Sequence, residues 1–217
     1  DHPHNAGPLG VIGSSSANML AEEADVVLAV GTRLQDFTTG SWSVFGNEQM
    51  RLISINAARY DAHKHRALSV VGDALAGIEE LGQALEGWKA PETWISQSRS
   101  LYAEWNTTVE QYSGPTTDVP PSYAHVIGAV NRVCDETDLA LTAAGGFPGE
   151  LCKNWKTKSS GTFDCEFGFS CMGYEIAGGW GAKMADPDRD VIVFVGDGSY
   201  LMTVSYTHLT LPTTYGV

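Results

Sequence analysis

Two apolar runs constrain the fold more than any other feature of this chain. Residues 24–31 read Ala-Asp-Val-Val-Leu-Ala-Val-Gly, and residues 190–196 read Asp-Val-Ile-Val-Phe-Val-Gly. Each is far shorter than the roughly 20 residues needed to span a bilayer. Continuous apolar runs of this length, closed by glycine, predict strands buried on both faces, as in a parallel sheet. Helical patterns alternate with them. Residues 14–24 form one, with Ser14, Ser15 or Ser16 as cap. Residues 51–57 and 67–72 are further strands, and Asp73 caps a helix with Leu75, Ile78, Leu81 and Leu85 on one stripe. Residues 1–88 therefore read as an open α/β layer, a Rossmann-like half.

Residues 89–119 form a connector with one helix, in which Pro91 occupies the first turn and Trp94, Leu101 and Trp105 share a packing face. Ser113-Gly114-Pro115 ends that helix. A second α/β unit follows over 120–203. Tyr123, Val126, Ile127, Val130 and Val133 mark a helix, and residues 139–144 form a strand ending in Gly145-Gly146. Residues 173–184 form a small-residue helix whose Gly178-Gly179 pair marks a close packing contact. The run 190–195 is the last strand. Residues 204–213 resemble a translated sequencing adapter, so 204–217 are expected to be foreign to the natural protein.

Charge narrows the function classes. The 217 residues carry 13 Lys+Arg against 26 Asp+Glu, a net charge of −13. That balance argues against nucleic-acid and anionic-membrane partners, which need basic patches. Cys134, Cys152, Cys165 and Cys171 contain no Cys-x-x-Cys pair, and no histidine stands at zinc-finger spacing. The reading is a cytoplasmic protein with reduced thiols and a structural role for His125.

The chemistry concentrates in Gly196-Asp197-Gly198-Ser199, directly after the last strand. A carboxylate at the carboxyl edge of a parallel sheet lies where α/β proteins bind ligands. Asp197 is a hard oxygen ligand suited to Mg²⁺. Flanking glycines let main-chain N–H groups approach phosphate oxygens, and the start of the next helix adds a positive dipole end.

Context extends the motif. Upstream lies Ser170-Cys171-Met172-Gly173-Tyr174-Glu175-Ile176-Ala177-Gly178-Gly179, then an Asp186-Pro187 loop and the strand. This order resembles the diphosphate-binding domain of thiamine-diphosphate enzymes of the acetolactate synthase and pyruvate decarboxylase superfamily. The segment Gly31-Thr32-Arg33-Leu34-Gln35-Asp36-Phe37 and the opening His4-Asn5-Ala6-Gly7-Pro8-Leu9-Gly10 resemble the same superfamily's middle domain. Within it, Phe169-Ser170-Cys171-Met172-Gly173-Tyr174-Glu175-Ile176 and Ala143-Ala144-Gly145-Gly146-Phe147-Pro148-Gly149-Glu150 are similar to the hydrolase branch of inositol catabolism. That branch opens a cyclic 1,2-dione to 5-deoxyglucuronate. Acetolactate synthases usually have Gly-Leu-Pro where this chain has Glu175-Ile176-Ala177.

The resemblance implies a Rossmann-like middle domain with a parallel sheet over 1–88 and a truncated α/β diphosphate-binding domain over 120–203. It implies thiamine diphosphate and Mg²⁺ as cofactors and a cyclic dione as substrate. Asp197 would be the metal ligand, with Gly196, Gly198 and Ser199 on the diphosphate. The Ser170 carbonyl would face the aminopyrimidine, Met172 would wedge the cofactor into its bent shape, and Gly173 lies in the same turn. The family's catalytic glutamate belongs to a domain expected to precede Asp1, and a second metal ligand is expected after Met202. No catalytic residue is therefore assigned within the chain, which alone is expected to be inactive. A homodimer or homotetramer is implied for the full-length protein. An acetolactate synthase-like carboligase or decarboxylase, a non-catalytic nucleotide-binding module, and FAD on the middle domain remain open alternatives.

Overall fold

The structure, a computed structural model, describes residues 2–166 and 168–203. The adapter reading of 204–217 falls outside the described residues. The chain divides into two compact units, Asp1–Thr108 and Val109–Val217. In the first, α1 (Ser15–Glu23), β1 (Val26–Val30), α2 (Asp36–Thr39), β2 (Arg51–Asn56), α3 (Arg59–Ala62), a 3₁₀ turn (Lys64–Arg66), β3 (Leu68–Val71) and α4 (Ala74–Ala84) follow in order. The long α5 (Glu92–Ser113) crosses the division. The second unit holds α6 (Tyr123–Val133), β4 (Leu139–Thr142), α7 (Gly146–Asn154), β5 (Phe163–Cys165), α8 (Tyr174–Ala185), β6 (Val191–Val193) and α9 (Asp197–Leu201).

Each unit contains a three-stranded parallel sheet, ordered β1-β2-β3 and β5-β4-β6. The α/β class and the parallel pairing expected from the apolar runs are thus present. Of the three candidate caps for α1, Ser14 takes the role: its Oγ accepts the Ala17 N–H at 3.1 Å. Ser122 caps α6, and His125 returns the bond through Nδ1 to the Ser122 N–H. His125 therefore has the structural role expected of it. Gly179 explains the small-residue stripe of α8, since a Cβ there would lie 2.5 Å from Val193 Cγ2 on β6.

Burial on both faces holds for only part of the expected strands. Every residue of β4 is buried, as is most of β2, because each is the central strand of its sheet. The flanking strands of the first sheet are open: Val26 is 52% and Leu68 68% exposed. The apolar stripe of α4 is also uncovered, with Leu75 at 65%. This helix approaches β2 through its glycine side, where a Cβ on Gly77 would stand 2.9 Å from Ile55 Cγ2. In the second unit Ile127, Ala140, Leu151 and Phe194 form a buried cluster, flanked by Val130, Phe147, Trp155, Phe163 and Ile192.

Candidate functional site

Because β4, β5 and β6 run parallel, the segments following them emerge on one edge of the sheet. Those segments are 143–146, 166–173 and 194–199, which carry all the residues singled out from the sequence. A cavity of about 400 Å³, lined in part by Thr137, Ser159, Thr162, Asp188 and Arg189, lies among the segments that precede these strands. It sits on the opposite edge and has no part in the site.

The loop before α8 is held by two carboxylates. Glu166 Oε2 accepts the Cys171 N–H at 2.8 Å, and Oε1 accepts the Phe169 N–H at 2.9 Å. These main-chain bonds, that from Cys171 foremost, hold the Glu166 carboxyl below its ordinary range. Ser170, between them, has a φ of 52°, a left-handed conformation uncommon for serine and concentrated at functional sites. Gly173 heads α8 at φ 93°, where a Cβ would meet Thr203 Oγ1 at 3.1 Å. Met172 is half exposed.

The second carboxylate is Glu175, in the first turn of α8 and fully buried. Its Oε1 accepts the Ala144 N–H at 3.0 Å, and its Oε2 accepts the Gly173 N–H at 3.0 Å and the Ser199 hydroxyl at 2.8 Å. Ser199 Oγ also accepts the Gly173 N–H at 2.9 Å. The Ser199 side chain is therefore committed inward.

Gly196 and Asp197 open α9 at the sheet edge. The Asp197 carboxylate is exposed and accepts only its neighbour's N–H, from Gly198 at 2.8 Å, among the described contacts. A Cβ added to Gly145, Gly196 or Gly198 would meet nothing within 4 Å. The edge thus presents an uncrowded main-chain surface beside one free-standing carboxylate. Among the described residues no three His, Cys, Asp or Glu side chains gather as a metal centre. A cation here would take Asp197 together with oxygens from its ligand.

Two groups beside the loop escaped the sequence reading. Tyr174 donates to Asp164 Oδ2 at 2.7 Å, and this bond, with burial and nearby negative charge, pushes its phenol up to about 12. Cys165 is hydrogen-bonded to Cys152, which raises the Cys165 thiol well above the usual range and lowers Cys152. The signal available for Glu175 was a lone carboxylate inside a run of small and apolar residues.

Comparison with known proteins agrees with this geometry. Residues 1–81 match the thiamine pyrophosphate enzyme central domain, and residues 143–210 match the thiamine pyrophosphate enzyme C-terminal TPP binding domain. The chain is 36% identical over 225 aligned positions to a 3D-(3,5/4)-trihydroxycyclohexane-1,2-dione hydrolase from Bacillus thuringiensis (strain Al Hakam). It is 38% identical over 224 positions to the protein of the same name from Geobacillus thermodenitrificans (strain NG80-2). Both matches cover 93% of this chain but only 35% and 34% of the relatives, so the chain spans about a third of their length. With both domains matched in order, and this identity along nearly all of its length, the chain belongs to the thiamine pyrophosphate enzymes, carrying their central domain and their C-terminal cofactor-binding domain.

Proposed function

We propose that this chain holds thiamine diphosphate and Mg²⁺ at the carboxyl edge of its second sheet. On this reading the whole protein hydrolyses a C–C bond of trihydroxycyclohexane-1,2-dione to give 5-deoxyglucuronate in myo-inositol catabolism. The observation that carries the reading is the Gly173 N–H to Ser199 Oγ bond at 2.9 Å. It joins the loop of Ser170 and Met172 to the turn of Asp197, motifs 26 positions apart in sequence.

The residues fit such a ligand. Asp197 supplies a hard carboxylate oxygen for Mg²⁺. Gly196 and Gly198 would offer the diphosphate a main-chain face with open space where a Cβ would stand, with Ser199 beside them. The Ser170 carbonyl, set by its left-handed backbone, would accept a hydrogen bond from the aminopyrimidine, and the exposed Met172 would give the cofactor an apolar support. When bound, the cofactor supplies a thiazolium that serves as electron sink for cleavage beside a carbonyl. The hydrolase is favoured over a carboligase by the two relatives and by Glu175, which stands where acetolactate synthases have a glycine. The same reading makes the whole protein a cytoplasmic homodimer or homotetramer. No helix among the described residues is long and apolar enough to cross a membrane.

Isothermal titration of the whole protein with thiamine diphosphate and Mg²⁺ tests the site. Asp197→Ala is expected to abolish metal-dependent binding, and Asp197→Asn to weaken it. Unchanged affinity in Asp197→Ala would overturn the assignment. Ring opening of the cyclic dione by the whole protein, compared with turnover of pyruvate, separates the hydrolase from a carboligase.

A further inference from the structure

Glu175 joins three segments that are distant in sequence. Ala144 ends the β4 segment, Gly173 closes the loop carrying Ser170 and Met172, and Ser199 belongs to the Gly196–Ser199 turn. All three meet one carboxylate at 2.8 to 3.0 Å. The carboxylate is fully buried, and none of the ion pairs among the described residues involves it. A carboxyl group in such a place is held by hydrogen bonds alone, and leaving any of its buried partners unsatisfied is costly. Its acceptor capacity is divided without redundancy: Oε1 serves the strand end, and Oε2 serves both the loop and the turn. The Gly173 N–H is shared between Glu175 Oε2 and Ser199 Oγ, which closes a small ring of bonds between loop and turn.

We propose that Glu175 is a positioning residue that locks the Ser170–Gly173 loop to the Gly196–Ser199 turn, so that the two ends of the cofactor are received by one preorganised unit. The proposal rests on the cofactor reading above and adds to it a residue that touches neither cofactor nor substrate. Its physical content is entropic and geometric. Without the lock, the loop and the turn must be brought into register when the ligand arrives, and that ordering subtracts from affinity. A ligand that touches the turn alone would not feel the loss.

That asymmetry separates positioning from a merely structural role. The purified whole protein is titrated with two probes in the presence of Mg²⁺: thiamine diphosphate, which spans loop and turn, and inorganic pyrophosphate, which occupies the turn only. Glu175→Gln keeps the shape but replaces one acceptor oxygen with a donor. It is expected to weaken thiamine diphosphate by about tenfold or more, as when a buried donor loses its acceptor. Pyrophosphate should shift by less than about threefold, well under the 1.4 kcal/mol of a tenfold change. Ser199→Ala removes only the bridge between loop and turn and should shift affinity in the same direction by a smaller factor. It serves as the second variant should Glu175→Gln fold poorly. Hydrogen exchange at the Ala144 and Gly173 amides should quicken in Glu175→Gln, and at Gly173 alone in Ser199→Ala.

Equal weakening of both probes, or unchanged thiamine diphosphate affinity in folded Glu175→Gln with faster Gly173 exchange, would overturn the positioning role. If Glu175→Gln yields no folded protein, unchanged affinity in Ser199→Ala would overturn it. If the unsubstituted whole protein binds neither probe, the cofactor reading itself falls.

Discussion

The two sheets share a size, a parallel pairing and a central strand that is mostly buried, yet their edges differ. In the first sheet the polar groups after the strands close the chain on itself. Asn56 Nδ2 donates to the Thr32 carbonyl at 2.9 Å, its Oδ1 accepts the Ala58 N–H at 2.8 Å, and the Gly31 N–H bonds the Ile55 carbonyl. In the second sheet the polar groups divide into two sets. Glu166 and Glu175 fix main-chain segments, while Asp197 remains exposed beside glycines with open space. The fold supplies an edge, and the uncommitted group on that edge makes it a site. The cores differ in parallel. The second unit has a closed cluster around Ile127 and Leu151, whereas the first leaves Leu68 and Leu75 largely exposed.

The largest expected contrast follows from that burial. Leu151 is fully buried in the second cluster, so Leu151→Ala should destabilise its unit by about 2–5 kcal/mol, transfer and cavity combined. Leu68→Ala, at a 68% exposed position, should cost less than about 0.5 kcal/mol. Urea denaturation followed by site-resolved hydrogen exchange measures each unit separately. Similar losses in both would mean that the first sheet is covered in solution.

A smaller contrast concerns how helices approach the sheets. A Cβ on Gly179 would stand 2.5 Å from Val193 Cγ2, and one on Gly77 2.9 Å from Ile55 Cγ2. Alanine should favour either helix by about 1 kcal/mol through propensity alone. At Gly179 the overlap with a short branched side chain should reverse that gain, for a net loss of about 1–3 kcal/mol. At Gly77 the required shift is smaller, and α4 is open on its outer side, so Gly77→Ala should be near neutral. Thermal unfolding of the two variants checks the order.

How much of this was legible beforehand depended on the kind of force involved. The runs 24–31, 51–57 and 190–195 announced strands because burial demands continuous apolar residues. Ser14 and Ser122 announced helix starts because capping chemistry is local. β5 and α7 were missed. Phe163–Cys165 is three residues with no periodicity, and α7 starts at a glycine pair that reads as a turn. The exposure of β1, β3 and α4 was missed for a different reason: an apolar stripe shows which face seeks cover, not whether cover is present. At the site, Asp197 and its glycines were visible as a motif. The inward direction of Ser199 was not, because it depends on Glu175 reaching the residue 24 positions away. The conformation of Ser170 likewise depends on the surrounding loop.

Acid should separate the two edges. The Glu166 carboxyl is held low by the N–H groups of Cys171 and Phe169. The order it confers on the loop is therefore fully present above the ordinary carboxylate range and is lost as pH falls through the lowered value. Amide exchange at Phe169 and Cys171, corrected for intrinsic rates, should quicken with acid, and Glu166→Gln should remove that pH dependence. The turn around Gly31 and Asn56 relies on neutral groups and should show no such step.

Alkali provides the smallest test. The Tyr174 phenol donates to Asp164 Oδ2 at 2.7 Å, and its ionisation is pushed up to about 12 by that bond first, then by burial and by the charges of Asp164, Glu166 and Cys165. An acid whose folded value lies above its unfolded value near 10 binds its proton more tightly when folded. Its stabilising share is thus fully present below about pH 10 and disappears as pH rises towards 12. Tyr174 is only partly buried, so the share should be under about 1 kcal/mol after screening. Tyr174→Phe should lower the second unit's stability slightly at pH 8, and that difference should shrink to nothing by pH 12. The first unit should be indifferent throughout. A difference that persisted unchanged into strong alkali would mean that the Tyr174 hydroxyl does not act through its bond to Asp164, since phenylalanine keeps the ring and loses only that group.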